Sequence, residues 1–359
     1  MNSYAIFRLP HAEHCTLIKG DAEVVPSLAD ISNQQGFLLA PFMPSDEDPI
    51  LLIKGDVQET TTSLSSHLSP LTSHPSPLTS HLSPLTSHFS SPLSPLTSYA
   101  ADFATFHQAL TEGRFQKLVL ARCMALPTAA RSPLQLFEEA CRRYPRMCVS
   151  LVSTPQSGTW LTATPEILLE GNGHEWRTIA LAGTMRLRND RADNEGQHLR
   201  WSAKNIQEQR YVASYLADVL RCHADNIHEE GPRTVRAANL VHLRSDFTFS
   251  LNNKCTRVGE LLQALHPTPA VCGLPKAEAQ RFILANEHTS RHYYSGFMGT
   301  LNLSQSTHLY VSLRCMHITA TACHLYAGGG LLRESIERQE WLETEAKMEA
   351  MRRLVMLDA

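Results

Sequence analysis

Between about Ser63 and Ser98 the unit Ser-Pro-Leu-Thr-Ser-His recurs with a period of seven residues, as at Ser69–His74 and again at Ser83–His88. Seven residues is the period of a coiled coil. A proline in each unit, however, removes a backbone donor and collides with the preceding turn, so no continuous helix can run through the segment. Its composition is that of a disordered or polyproline-II-like connector. The ordered chain is therefore expected in two parts, a short N-terminal portion over residues 1–62 and a larger domain over 99–359, with the repeat at 63–98 inserted between them.

Composition narrows the partners. With 359 residues and 43% hydrophobic content the chain can bury a sizeable core. A net charge of −3 without a long single-sign block leaves no footprint for nucleic acid or anionic lipid. Nine cysteines form no CxxC pair and 18 histidines no HExxH, so zinc spacings are absent and the thiols read as reduced packing residues. The N-terminus lacks a basic region followed by an apolar run, and no stretch approaches the roughly eighteen apolar residues of a membrane span. The expected location is the cytoplasm.

Before the insert, Gly36–Ala40 and Ile50–Ile53 are short apolar runs that read as strands. After it, strands are expected at Lys117–Ala121, Met147–Val152, Trp160–Leu169, Thr178–Gly183, Leu309–Ile318 and Cys323–Tyr326, the last two as a hairpin. Ser202 is the expected helix N-cap, followed by Val212, Tyr215, Leu216, Val219 and Leu220 at the spacing of one helical face. Glu208 falls on that face. In the C-terminal helix the stripe through Met351 and Leu354, projected back, meets Glu340 and also Glu343 and Lys347.

Carboxylates on core-facing positions are costly unless neutralised, paired or bound to a cation. Glutamates from two helices, with no histidine or cysteine set beside them, suit a hard oxygen-seeking ion such as Mg²⁺. Salt bridges to Lys204 or Lys347 answer the same need. Lys117 inside an apolar strand is open to a similar choice, since an edge lysine can reach water along its stem. Glu166 follows a strand-breaking proline, and Gly328-Gly329-Gly330 permits either close approach of a ligand or a turn.

Their joint order is specific. Lys117–Arg122, Thr164-Pro165-Glu166, Leu181-Ala182-Gly183-Thr184, the helix around Lys204 and Glu208, and His266–Lys276 are followed by Glu287, Arg291, Tyr294, Gly296 and Gly299. Then come Arg314, Tyr326–Gly330 and Glu340–Thr344 with Lys347. This pattern resembles the chorismate-binding enzymes, which include isochorismate, salicylate, anthranilate and aminodeoxychorismate synthases. The resemblance runs from about Phe103 to the C-terminus. It implies an α+β fold in which two layered halves of antiparallel sheet and helices enclose one cleft, although the N-terminal part is short and the repeat interrupts it.

By this resemblance Lys117 is the base that activates water and Glu166 the acid that protonates the departing hydroxyl. Glu208 and Glu343, supported by Glu340, would hold Mg²⁺. Gly183, Thr184, Arg314, Tyr326, Gly328 and Lys347 would bind substrate, and Ala270 and Val271 would wall its ring. Lys117 where aminating relatives carry glutamine, Ala182 in place of a reactive lysine, and His266-Pro267-Thr268-Pro269-Ala270 are similar to isochorismate synthases. The implied substrate is chorismate, with no glutamine amidotransferase subunit. A salicylate synthase or a catalytically silent chorismate-binding subunit are the rival expectations.

Overall fold

The computed structural model describes residues 3–61, 95–128, 131–186, 200–237, 240–252 and 257–356. Its strands are β1 (Ser3–Arg8), β2 (His14–Val25), β3 (Gly36–Ala40), β4 (Ile50–Thr61), β5 (Lys117–Pro127), β6 (Cys148–Thr154), β7 (Gly158–Thr164) and β8 (Ile167–Gly171). They continue with β9 (Trp176–Arg186), β10 (Ala224–Ala237), β11 (Leu240–Leu251), β12 (Gly273–Leu274), β13 (Phe297–Leu303), β14 (Ser306–Val311), β15 (Cys315–Ile318) and β16 (Ala322–Leu331). The helices are α1 (Pro95–Thr111), α2 (Pro133–Arg143), α3 (Ala203–His223), α4 (Val258–Leu265), α5 (Lys276–Asn286) and α6 (Glu337–Val355).

Among the described residues these strands form one sheet, in the order β10-β11-β9-β8-β14-β13-β3-β4-β2-β1-β6-β7-β15-β16-β5-β12. Every neighbouring pair is antiparallel. The N-terminal strands thus lie at the middle of the sheet, joining its two halves. Side-chain alternation explains their unbroken apolar runs. Leu38 and Leu52 face a core shared with α3 and α4, whereas Phe37, Leu39, Leu51 and Ile53 face a second core with Trp160, Tyr293 and Tyr326. A strand buried on both faces has no polar positions to alternate with. On the other half α2 and the end of α6 cover β6, β7, β15 and β16 through Leu136, Phe137, Met351 and Leu354. Two helix-covered halves of antiparallel sheet are the α+β arrangement expected above.

Several sequence expectations hold in detail. Ser202 Oγ accepts from Asn205 N at 3.2 Å and caps α3, and Glu208, Val212, Leu216 and Leu220 share its buried face. The hairpin around residues 319–321 forms, with Cys315 opposite Tyr326. Others need correction. The run Trp160–Leu169 is two strands, broken at Pro165 and Glu166, and Leu309–Ile318 is two strands, broken at Ser312, Leu313 and Arg314. The three glycines are not a turn: they lie inside β16, paired in order with Ala121, Leu120 and Val119 of β5. α1 begins at Pro95 and takes the last four residues assigned to the repeat, because a proline is tolerated in a first helical turn. The remainder of the repeat lies outside the described residues.

Candidate functional site

The two corrected strand breaks open into one cavity. At the first, Glu166 sits between β7 and β8 and is almost wholly buried (3% exposed). Burial pushes its carboxyl up to about 8, against the pull of Lys117, Lys347 and Arg314. At the second, Arg314 adopts a left-handed φ of 47°, a conformation that tertiary contacts must hold in a non-glycine residue. One such contact is a hydrogen bond from Arg314 Nη2 to His242 Nε2 at 2.8 Å. An arginine cannot accept, so His242 does, which leaves Nδ1 to carry the ring proton toward Gly183 O at 3.2 Å. Burial beside Arg314 and Lys347 drives the His242 pKa far down and keeps the ring neutral.

Gly183 is the extra residue where the β9–β11 register slips, since His242 pairs with Thr184 and Leu243 with Ala182. Its φ of +71° is the left-handed conformation that glycine supplies at such a bulge. The kink turns Gly183 and Thr184 into the cavity wall. Ala270, Val271, Tyr326, Gly328 and Lys347 line the same space, with Glu166, Glu208, His242 and Arg314.

Lys117 does not lie on that wall. It opens β5 between β16 and β12, is 0% exposed and packs against the cavity-lining Glu208 and Gly330, so it is no edge lysine reaching water. Its Nζ is 3.3 Å from Glu208 Oε1, yet no acceptor among the described residues meets it in hydrogen-bonding geometry. Burial drives its ammonium pKa down, and Glu208 offsets only part of that. The site therefore pairs a buried acid shifted up with a buried amine shifted down.

Three carboxylates close on the glycine strand. A Cβ at Gly330 would stand 2.0 Å from Glu208 Oε1, and one at Gly329 would stand 3.4 Å from Glu340 Oε2 and 3.8 Å from Glu343 Oε1. Each carboxylate has a lysine: Lys117 for Glu208, Lys204 for Glu340 at 2.5 Å and Lys347 for Glu343 at 2.8 Å. Lys347 also donates to Gly328 O at 2.8 Å. Burial would push the Glu208 carboxyl up, but Lys117, Lys204 and Lys347 outweigh it and hold it down. Lys204 in turn is kept charged by Glu208, Glu340 and Glu343 together, against its own burial. Among the described residues no three acidic or histidine ligands form a ready metal cage. Mg²⁺ does not require one, because it keeps several waters and is held through one or two carboxylates. An all-oxygen set around bare glycine backbone fits that demand, and its negative field already holds the Lys204 ammonium.

Of the residues expected from sequence, all but Lys117, Glu340 and Glu343 line the cavity; Lys117 and Glu343 pair with the lining residues Glu208 and Lys347, and Glu340 lies beside Gly329. His242 was missed. Its only sequence signal is a histidine between Val241 and Leu243 in an apolar strand, which does not distinguish it from the chain's other histidines.

Comparison with known proteins gives consistent matches. A family model described as chorismate binding enzyme matches residues 26–356. The chain is 32% identical over 254 residues to isochorismate synthase MenF of Escherichia coli K12, covering 70% of this chain and 58% of that protein. It is 32% identical over 258 residues to the salicylate biosynthesis isochorismate synthase of Pseudomonas aeruginosa, covering 68% of this chain and 52% of that one. The matches thus span little more than half the length of these relatives. The solved menaquinone-specific isochorismate synthase MenF from Escherichia coli superposes with a TM-score of 0.75 at 22% identity, over 99% of this chain and 89% of that one.

Proposed function

Because this chain belongs to the chorismate-binding enzyme family over residues 26–356, we propose that it is an isochorismate synthase that interconverts chorismate and isochorismate. The observation that carries this reading is the opposed shift of Glu166 and Lys117. A carboxyl raised to about 8 is protonated at neutral pH, and an amine shifted down has more of its neutral form available. Burial that favours the protonated carboxyl and the deprotonated amine supplies the forms an acid and a base need at neutral pH.

In the forward direction Lys117, whose Nζ lies 3.3 Å from the cavity-lining Glu208, takes a proton from the water that attacks the ring carbon beside the carboxylate-bearing carbon. Glu166, on the cavity wall, gives its proton to the departing hydroxyl. Arg314, held by His242, and Lys347 supply fixed positive charge for the substrate carboxylates, with Gly183, Thr184, Tyr326 and Gly328 around them and Ala270 and Val271 against the ring. Glu208 and Glu343, supported by Glu340, would hold Mg²⁺. When bound, the ion would neutralise the ring carboxylate and the charge that gathers there during displacement. Lys204 and Lys347 would compensate the remaining carboxylate charge.

Incubation of the purified protein with chorismate and Mg²⁺, followed by chromatography, is expected to give isochorismate, with added ammonium making no difference. Salicylate with stoichiometric pyruvate would assign it to the salicylate synthases, and anthranilate or aminodeoxychorismate to the aminating branch. A smaller perturbation tests the glycine strand. In Gly330→Ala the new methyl collides with Glu208 Oε1 and with Lys117 Cε, 2.9 Å away, both ends of flexible side chains. Folding should survive while turnover falls by about tenfold or more, the usual penalty for a misplaced site group. Wild-type turnover in that variant would show that the carboxylate position is not critical.

A further inference from the structure

Glu287 and Arg291 take no part in the chemistry described above, yet their side chains are only 2% and 3% exposed. Their position explains why a buried ion pair is kept there. β12 accompanies β5 briefly: Gln116 N donates to Leu274 O at 2.9 Å and Val119 N to Cys272 O at 2.7 Å. Beyond Cys272 the chain leaves β5 to form the cavity wall at Ala270 and Val271. The next backbone groups along that edge of β5, Val119 O and Ala121 N, would then be buried without partners.

The ion pair fills this gap like a missing strand. Arg291 Nη2 donates to Val119 O and Nη1 to Val271 O, both at 2.8 Å. Glu287 Oε1 accepts from Ala121 N at 2.7 Å and fixes the guanidinium through Nη2 at 2.7 Å, while Oε2 accepts from Nε at 2.6 Å. The Phe42 ring, from the N-terminal portion, covers the guanidinium at 4.4 Å. One rigid fork thus spans from the strand of Lys117 to the segment that walls the ring.

We propose that the Glu287–Arg291 pair positions the reaction by fixing the gap between β5, which carries Lys117, and the wall formed by Ala270 and Val271. This rests on the isochorismate synthase reading of the site. The pair touches no substrate and acts through the backbone it holds. Loosening it lets the ring drift relative to the base and acid, while the cations that bind the carboxylates, Arg314 and Lys347, stay in place. Turnover should therefore suffer more than binding.

Arg291→Lys keeps the charge but loses the planar fork, and one ammonium cannot serve Glu287, Val119 and Val271 in the same geometry. Expected is a fall in kcat of about 10- to 100-fold, the scale of an ångström-sized misplacement, with little change in the KM for chorismate. Chorismate consumption is the readout whatever the product, and the product of the wild-type enzyme tests the underlying reading separately. Turnover is normalised to the folded fraction by circular dichroism and thermal melting. Should Arg291→Lys not fold, Phe42→Leu keeps the ion pair's hydrogen bonds and removes the aromatic cover together with some packing in the core it shares with Phe106, and a smaller loss of the same kind, per folded molecule, is expected. A raised KM with kcat intact, or wild-type turnover per folded molecule, would overturn the proposal.

Discussion

Lys117→Ala and Glu166→Gln are each expected to lower chorismate turnover by roughly 10²–10⁴-fold, the usual contribution of a positioned acid or base, with far smaller changes in substrate affinity. Each substitution removes a proton-transfer group and leaves Arg314 and Lys347 to bind the carboxylates. The reverse reaction sharpens the test. From isochorismate, Glu166 must act as base and Lys117 as acid, so each variant should lose a similar factor in both directions. The two working forms, neutral lysine with protonated glutamate and charged lysine with ionised glutamate, carry the same number of protons. The pH profile should therefore have the same limbs in either direction. With the Glu166 carboxyl raised to about 8, the proton it donates is lost as pH rises through that value, and forward turnover should fall there. In Glu166→Gln nothing titrates at that position, so the residual activity should lack this limb. If instead both variants weaken chorismate binding in proportion to their lost activity while turnover at saturation survives, these residues position substrate and the chemistry lies elsewhere.

The elements that were legible in the sequence are those whose physics is local. Ser202 caps α3 through its own hydroxyl, and the three-and-four spacing behind it placed Glu208 on the buried face before any contact was known. The apolar runs Gly36–Ala40 and Ile50–Ile53 read as strands because burial on both faces leaves them no polar alternation. The features that escaped are set by partners distant in sequence. Nothing near Arg314 announces a left-handed residue, since its conformation is held by His242, 72 residues away. The glycines at 328–330 read equally as a turn or an approach site, and only pairing with β5 makes them a strand. The strand break at Glu166 lay between the two cases: Pro165 marked it locally, but a single run from Trp160 to Leu169 was still a fair reading of the hydrophobic pattern.

The glutamates fell between these cases too, and the structure sharpens rather than removes the choice they posed. Spacing alone left a salt bridge and a metal site as alternatives, and each of Glu208, Glu340 and Glu343 does have a lysine. An ion pair alone, however, gives no reason for bare glycines opposite the carboxylates. Glu208→Gln and Glu343→Gln separate the two accounts, because each keeps side-chain size and removes a charge. If the pair of glutamates holds Mg²⁺ against the substrate carboxylate, each variant should lose roughly 10²-fold or more in turnover, since a bound cation supplies several kcal/mol at such a centre. Binding can be read without turnover. At about 100 times its Kd, Mg²⁺ should stabilise the wild-type fold by about 2.7 kcal/mol, seen as a higher melting temperature, and that increment should shrink or vanish in both variants. If salt bridges are the whole role, Mg²⁺ leaves the wild-type melting temperature unchanged. The Glu208→Gln variant then loses stability with or without the ion, because it strands the fully buried Lys117 without its counter-charge.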